Sequence, residues 1–413
     1  MATEEAVPIE EVLVTERDLW LDGPPHELFK RMREECPVHW TSKISEYPEE
    51  DGFWSVTRPD DVHAVSRDWE TYSSETGGVT ALTTAIFPLE LIQAMFIGMD
   101  PPKHDRLKAL FQRGFTPKRI ADHADEIRAI VVGVLDRLEG REECDLVFDV
   151  AQPVVSRVIG SFMGIRPEDD ETWARIMNTM MAAGDPDLNP EGVESVMTKE
   201  VPEMFERCGR LIAERRENPT DDLTSVLVHA EYEGQKLEEH EIVMGFFLLM
   251  AAGNDSTKAT YCSGMRALLE DPAERQKVLD DPSLVPSLVE ESLRMFPAFA
   301  HFRRTATRDT ELAGQTIREG DKVVMWYVSS NRDPSRYEDP DRFDVTRNPE
   351  HQAFGAGGRH FCLGTALARM ELQMLFEETL KRFPDMELAG EPAFVESPFV
   401  NQLKTLPVRL RPS

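Results

Sequence analysis

The residues with the clearest chemistry lie in Phe354-Gly-Ala-Gly-Gly-Arg-His-Phe-Cys-Leu-Gly364. One cysteine, Cys362, stands among glycines that let the backbone fold closely around its sulfur and approach a flat ligand. Phe354 can shield that sulfur from water. A helical pattern, Thr365-Ala-Leu-Ala-Arg-Met-Glu-Leu-Gln-Met-Leu, starts directly behind it. A thiolate at the start of a helix is stabilised by the positive end of the dipole and by free N–H groups. Such a site presents one sulfur as an axial metal ligand. A dinucleotide-binding reading fails, because the third glycine is missing and no βαβ unit surrounds the loop.

Three further groups carry charge or hydroxyls at telling spacings. Ala251-Ala-Gly-Asn-Asp-Ser-Thr257 interrupts a helical pattern with poor helix formers. Glycine there costs about 1 kcal/mol against alanine, and Asn, Asp and Ser divert backbone hydrogen bonds. The run predicts a local distortion that sets an acid, Asp255, beside a hydroxyl, Ser256, a pair suited to passing protons. Glu291-Ser-Leu-Arg294 brings opposite charges onto one helix face; alone, that spacing describes an ordinary surface ion pair. Between residues 103 and 119, Lys103, Arg106, Lys108, Arg113, Lys118 and Arg119 face the single anion Asp105. The chain holds 46 Lys+Arg against 76 Asp+Glu, a formal charge of −30. Against that background the cationic stretch reads either as a solvated face or as a docking surface for an acidic protein.

The elements that must position these groups are mostly helices. Helical periodicity dominates from about Pro102 to Leu269, and another helix carries Glu291 and Arg294 and ends before Pro297. Strand patterns occupy Phe53 to Thr57 and the stretch from Thr310 to Ser329, with weaker ones from Val400 to Leu410. The expected class is mainly α with small β-sheets, a single domain over 1–413 with residues 1–20 as an acidic N-terminal extension. That N-terminus has no apolar core of a secretion signal. The longest uncharged apolar run in a helical pattern, Ile242 to Gly253, is too short for a hydrocarbon layer of about 30 Å. Cys36, Cys144, Cys208, Cys262 and Cys362 are scattered without CxxC spacing, which suits a reducing compartment better than a disulfide frame, zinc site or cluster. The expectation is a cytoplasmic protein with no membrane span, too acidic for nucleic acid.

The cysteine loop, the ExxR helix followed by Arg303-Arg304-Thr-Ala-Thr, and Ala252-Gly-Asn-Asp-Ser256 together resemble the cytochrome P450 superfamily over most of the chain. The resemblance implies the single-domain cytochrome P450 fold and a haem b cofactor (iron protoporphyrin IX) with Cys362 as its metal ligand. It places Phe354, Gly355 and Gly364 around the cofactor, and His104, Lys108, Arg304 and His360 at its propionates. Lys108 stands where arginine is usual, keeping charge but losing bidentate geometry. Glu291 and Arg294 become structural. Asp255 and Ser256 become the proton relay, with serine in place of the usual threonine; its rotamer is less fixed, so coupling of electrons to product should loosen. Thr257, one step round the helix, is not expected to substitute.

The activity so implied is insertion of one atom of dioxygen into an apolar substrate: a terpenoid, steroid or branched lipid. No flavin, nicotinamide or cluster motif appears, so electrons would come from a ferredoxin and its reductase, docking near Lys103, Arg106, Lys108 and Arg113. The loop has one residue more between Phe354 and Cys362 than the commonest family form, a spacing similar to that of bacterial members that oxidise steroid side chains and branched lipids. Candidate pocket residues are Phe87, Met95, Met180, Phe247, Met250, Ala251, Phe299 and Val400; methionine-rich walls adapt to irregular apolar shapes. Two alternatives stay open, a peroxide-driven haem-thiolate peroxygenase and a non-catalytic haem protein that binds or senses a ligand.

Overall fold

A computed structural model of the chain describes residues 7–82, 87–232 and 234–410. Five strands form the main sheet: β1 (Val38–Lys43), β2 (Asp51–Val56), β3 (Tyr72–Ser73), β4 (His301–Ala306) and β5 (Lys322–Trp326). Their order is β1-β2-β5-β4-β3. Strand β5 reads Lys-Val-Val-Met-Trp and is buried at every position, as its central place requires. It runs parallel to β2 and antiparallel to β4, with Val323 opposite Arg304 and Val324 opposite Arg303. Side chains alternate across a strand, so the two neighbouring arginines leave β4 on opposite faces.

Helices supply most of the core: α1 (Lys103–Gln112), α2 (Gln152–Met163), α3 (Asp170–Met181), α4 (Glu239–Glu270), α5 (Val285–Met295) and α6 (Thr365–Arg382). Helix α4 opens with a capping box between Glu238 and Glu241 and at 32 residues is about 48 Å long. Helices α2, α3, α5 and α6 all pack on it. Gly245 admits Phe111 of α1 so closely that a Cβ there would stand 1.8 Å from the ring.

Helix α4 is continuous through residues 251–257, so the expected distortion does not occur. Packing against four neighbours outweighs the weak propensities of Gly253, Asn254 and Ser256. The Ser256 hydroxyl folds back to donate to the Ala252 carbonyl at 2.8 Å, which keeps it compatible with helix.

Two other expectations are refined. The stretch Leu146–Met163 is long and apolar enough to cross a membrane by composition, yet 72 % of it is buried inside the protein, as a core helix would be. Residues 9–20 are not a loose acidic extension, since Val12, Val14 and Trp20 pack in one apolar cluster with Phe29 and Trp326. The Trp20 indole N–H donates to the Val14 carbonyl at 2.8 Å.

Candidate active site

The cysteine loop is shaped by backbone. Gly355, Gly357 and Gly358 have φ of 91°, 87° and 82°, the left-handed region that side chains disfavour. At Gly358 a Cβ would also lie 2.6 Å from the Ser66 carbonyl oxygen. The Cys362 N–H donates to the Phe354 carbonyl at 3.0 Å and closes the loop. Gly364 is different: its φ of −87° suits any residue. It borders a cavity, and a Cβ there would meet no protein atom within 4 Å. The Phe354 ring lies 4.7 Å from the Arg369 guanidinium, which is itself held by Glu290 at 2.6 and 2.8 Å.

Cys362, Phe354, Gly355 and Gly364 form one wall of that cavity. The Cys362 side chain is open to that cavity rather than packed in the core; desolvation by the surrounding walls still pushes its thiol up, against the Gly364 N–H, Lys108 and Arg369. A metal ion bound there would hold the sulfur as the thiolate, because a coordinating thiol is deprotonated outright.

Unanswered polar groups also line the cavity. His104 is 1 % exposed; its Nδ1 meets Asp105 at 2.9 Å, while Nε2 is buried without a partner. Arg304 is 4 % exposed and donates from Nη1 to the Arg303 carbonyl at 2.7 Å, with no carboxylate in ion-pair range among the described residues. Burial lowers the pKa of both groups. A buried guanidinium without a counter-anion is costly, and acidic substituents of a bound group would answer both.

The sequence profile described as Cytochrome P450 matches residues 14–392. The chain belongs to the cytochrome P450 family. A methyl-branched lipid omega-hydroxylase of Mycobacterium tuberculosis is 35 % identical, aligned over 97 % of this chain and 95 % of the relative. Linalool 8-monooxygenase of Pseudomonas putida is 34 % identical over 96 % and 98 %. A Mycobacterium marinum cytochrome P450 in complex with pseudoionone superposes with a TM-score of 0.90 at 35 % identity, covering 98 % and 100 %. The fold is thus the mainly helical P450 fold with small sheets, and the enzyme is an oxidoreductase of a monooxygenase family. The family's haem-thiolate cofactor fits the residues present: a lone sulfur on an open glycine loop, with the orphaned His104 nitrogen and the unpaired Arg304 bordering the same cavity. No group of three or more His, Cys, Asp or Glu side chains placed to hold a metal ion occurs among the described residues.

Two of the four propionate candidates are already engaged in this P450. Nε2 of His360 lies 3.2 Å from the Ser74 hydroxyl, and the ring also bonds to the Met99 backbone. Lys108 donates to the carbonyls of Arg359 and Phe361, the latter at 2.7 Å, and so braces the cysteine loop from outside. Tyr327, which the sequence did not single out, shares the cavity wall with Arg304.

To the same cavity, α4 presents Leu248, Ala252, Ser256 and Thr260, one residue per turn, flanked by Leu249, Gly253 and Thr257. Asp255 is not on this wall. It is 2 % exposed and stands 2.6 Å from Lys258 Nζ, which also donates to Gln152 and Asn178 at 2.8 Å each. The contact between Asp255 and Lys258 is close enough for an ion pair, although Oδ1 has no well-directed hydrogen bond. Thr257, set aside on sequence grounds, does reach the cavity and donates at 2.7 Å to Glu371 of α6.

Of the pocket candidates, only Phe299 lines the cavity. Met95, Met180, Phe247, Met250 and Ala251 are buried in the main core, and Phe87 packs against it. Val400 pairs with Phe299 from behind, through one β-bridge. The helical repeat explains the miss on α4: Phe247, Met250 and Ala251 lie off the 248-252-256-260 face. Phe96, Ile97, Phe115 and Ile159 take the places assigned to the methionines.

Glu291 and Arg294 are far from an exposed ion pair. Both side chains are fully buried and joined by two bonds of 2.8 Å. Arg294 also donates to the carbonyls of Asn331 and Pro340, and Arg347 donates to Glu291 at 3.2 Å. The cationic stretch is partly neutralised: Lys103 pairs with Glu75 at 2.5 Å, Arg106 with Glu241 and Arg119 with Asp221.

Proposed function

We propose that this P450 is a haem b monooxygenase that hydroxylates a neutral, apolar and branched molecule with electrons from a ferredoxin and its reductase. The observation that carries the substrate class is the distribution of charge in one cavity. The two cations on its wall, Lys108 and Arg304, lie near His104, Glu371 is the one carboxyl among the described lining residues, and Ile97, Ile159, Leu248, Ala252 and Phe299 add no charge. Such a surface binds by burying apolar area, roughly 25 cal/mol per Å², and offers nothing to a carboxylate or phosphate. The names of the lipid and linalool relatives, and of a steroid C26-monooxygenase 33 % identical over 95 % of the chain, support the same class.

Bound haem supplies the activation of dioxygen and the transfer of one oxygen atom. The chain supplies the rest. Cys362 is the ligand, fixed by backbone rather than by a mobile side chain. His104 Nε2 and the Arg304 guanidinium hold the cofactor's carboxylates, and the apolar wall excludes water and orients the substrate. Ser256 offers a hydroxyl at the cavity face, with Asp255 one residue away in the ion pair behind it. Arg113 and Lys118 are exposed and have no ion-pair partner among the described residues, which suits them to an acidic ferredoxin. The acidic composition and the burial of Leu146–Met163 support a soluble, cytoplasmic protein.

The test is a spectral titration of the ferric protein with a terpenoid, a steroid, a methyl-branched fatty alcohol and a straight-chain fatty acid. The expected result is a spin-state change with one or more of the neutral branched compounds and none with the charged acid. Selective binding of the straight-chain acid would overturn the substrate assignment.

A further inference from the structure

Asp105 is the single anion in the cationic stretch 103–119, and none of the roles above uses it. It stands in the first turn of α1 and joins two groups. One carboxylate oxygen meets His104 Nδ1 at 2.9 Å, and the other accepts from Arg359 of the cysteine loop at 2.7 Å. His104 is buried at the cavity wall, whereas Asp105 is half-buried and Arg359 is exposed. A carboxylate only accepts, so Nδ1 carries its hydrogen. In a neutral ring that leaves Nε2, buried and without a partner, as a bare lone pair. A lone pair repels a carboxylate. For a cofactor carboxylate to be held at Nε2, either it or the ring must gain a proton. With an anion at each nitrogen, the proton belongs on the ring.

The other groups around His104 oppose a positive charge. Burial, Lys108 on the same helix and Arg304 of β4 lower its pKa, and among the described residues the Asp105 carboxylate alone raises it. The start of α1 adds the positive end of a helix dipole. The His360 ring lies 4.3 Å away; burial, Arg304 and Lys108 hold its pKa well below the ordinary value, so it brings no charge of its own. We propose that Asp105 is a positioning residue that lets His104 hold a haem carboxylate as an imidazolium, and that Arg359 weakens this hold by sharing the Asp105 carboxylate. The inference rests on the haem-binding reading above. As the carboxylate seats, a proton from solvent forms a bond to Nε2, and no electron moves. The ring then lies between two anions, which pushes its pKa up. The bond is therefore present at low pH and lost as pH rises through the raised value. The chain of contacts runs from the cofactor carboxylate through His104 and Asp105 to Arg359 on the surface.

The test is the rate of haem loss from the loaded protein to excess apomyoglobin, across neutral and mildly alkaline pH. The wild type should lose haem faster as pH rises through one titration, and His104→Gln should abolish that titration. Asp105→Asn keeps an acceptor for Nδ1 but removes the charge. It should move the titration to lower pH by about one unit, a tenfold weaker hold on the carboxylate where the ring is mostly neutral. Arg359→Gln leaves Asp105 its full charge and should move the titration to higher pH, with slower haem loss at neutral pH. A bridge that merely ties helix to loop would be broken by both variants, and both would then lose haem faster with the titration unmoved. That result, a wild type without the titration, or a titration that survives His104→Gln would overturn the proposal. If Asp105→Asn fails to fold, the direction of the Arg359→Gln shift decides. A wild type that lacks the thiolate signature of its ferrous–carbonyl spectrum would instead sink the haem-thiolate reading itself, so the two failures are distinguishable.

Discussion

Two walls of the cavity, the cysteine loop and α4, are built in opposite ways. The Cys362 wall is backbone: three glycines in the left-handed region, a closing bond from Cys362 N–H to Phe354, and lysine and arginine braces behind. The α4 wall is a regular helix whose chemistry depends on which residue falls on which side. Ser256 and Thr257 face the cavity, while Asp255, Asn254 and Lys258 are turned into a polar cluster with Gln152 and Asn178 behind it. A strained loop tolerates little variation, whereas a helix face can move its acid from one residue to another without altering its backbone.

Substitutions can break this contrast, and the largest effects should come from the buried frame behind the rigid wall. Arg294→Ala leaves Glu291 buried with only Arg347 and a backbone N–H as partners, at a cost of about 3–5 kcal/mol; urea unfolding should show it, and a loss below about 1 kcal/mol would contradict the assigned role. Gly358→Ala combines a positive φ with a clash against Ser66 and should cost about 1–3 kcal/mol, read as lower thermal stability and weaker haem retention. On the opposite wall the effect should shift from stability to chemistry. Ser256→Ala loses one hydrogen bond to Ala252, worth about 0.5–1.5 kcal/mol, and should raise peroxide released per NAD(P)H. An unchanged ratio would remove Ser256 from proton handling and leave Thr257 as the working hydroxyl. The smallest effect belongs to the outer surface. Arg113→Glu with Lys118→Glu should slow ferredoxin-supported reduction most at low ionic strength, with stability unchanged; equal rates at low and high salt would place the partner elsewhere.

The sequence carried the rigid wall well because its information is local. Glycines, an aromatic and a cysteine at fixed spacing describe one loop conformation, and Glu291 with Arg294 mark the helix beneath it. The helical wall was harder. Its facing residues follow a 3.6-residue period, and the 248-252-256-260 set is visible in the sequence once the phase is known; choosing Phe247, Met250 and Ala251 took the wrong phase. Asp255 and Lys258 share the i,i+3 spacing of Glu291 and Arg294, a sign that the acid is paired. Glu371, an acid between Met370 and Leu372, could have been flagged as buried, but only the fold shows Thr257 beside it. His360 and Lys108 look free in the sequence and are engaged in the structure by backbone and hydroxyl groups far along the chain. Such long-range bonds leave no local trace.

The central claim is that Cys362, held by backbone at the cavity wall, is the single protein ligand of the haem iron. The most direct measurement is the ferrous–carbonyl absorption spectrum of the wild type and of Cys362→His, recorded at matched haem content. A thiolate band in the wild type and its replacement by an imidazole-type band in the variant is the predicted result. Persistence of the thiolate band in Cys362→His would contradict the assignment.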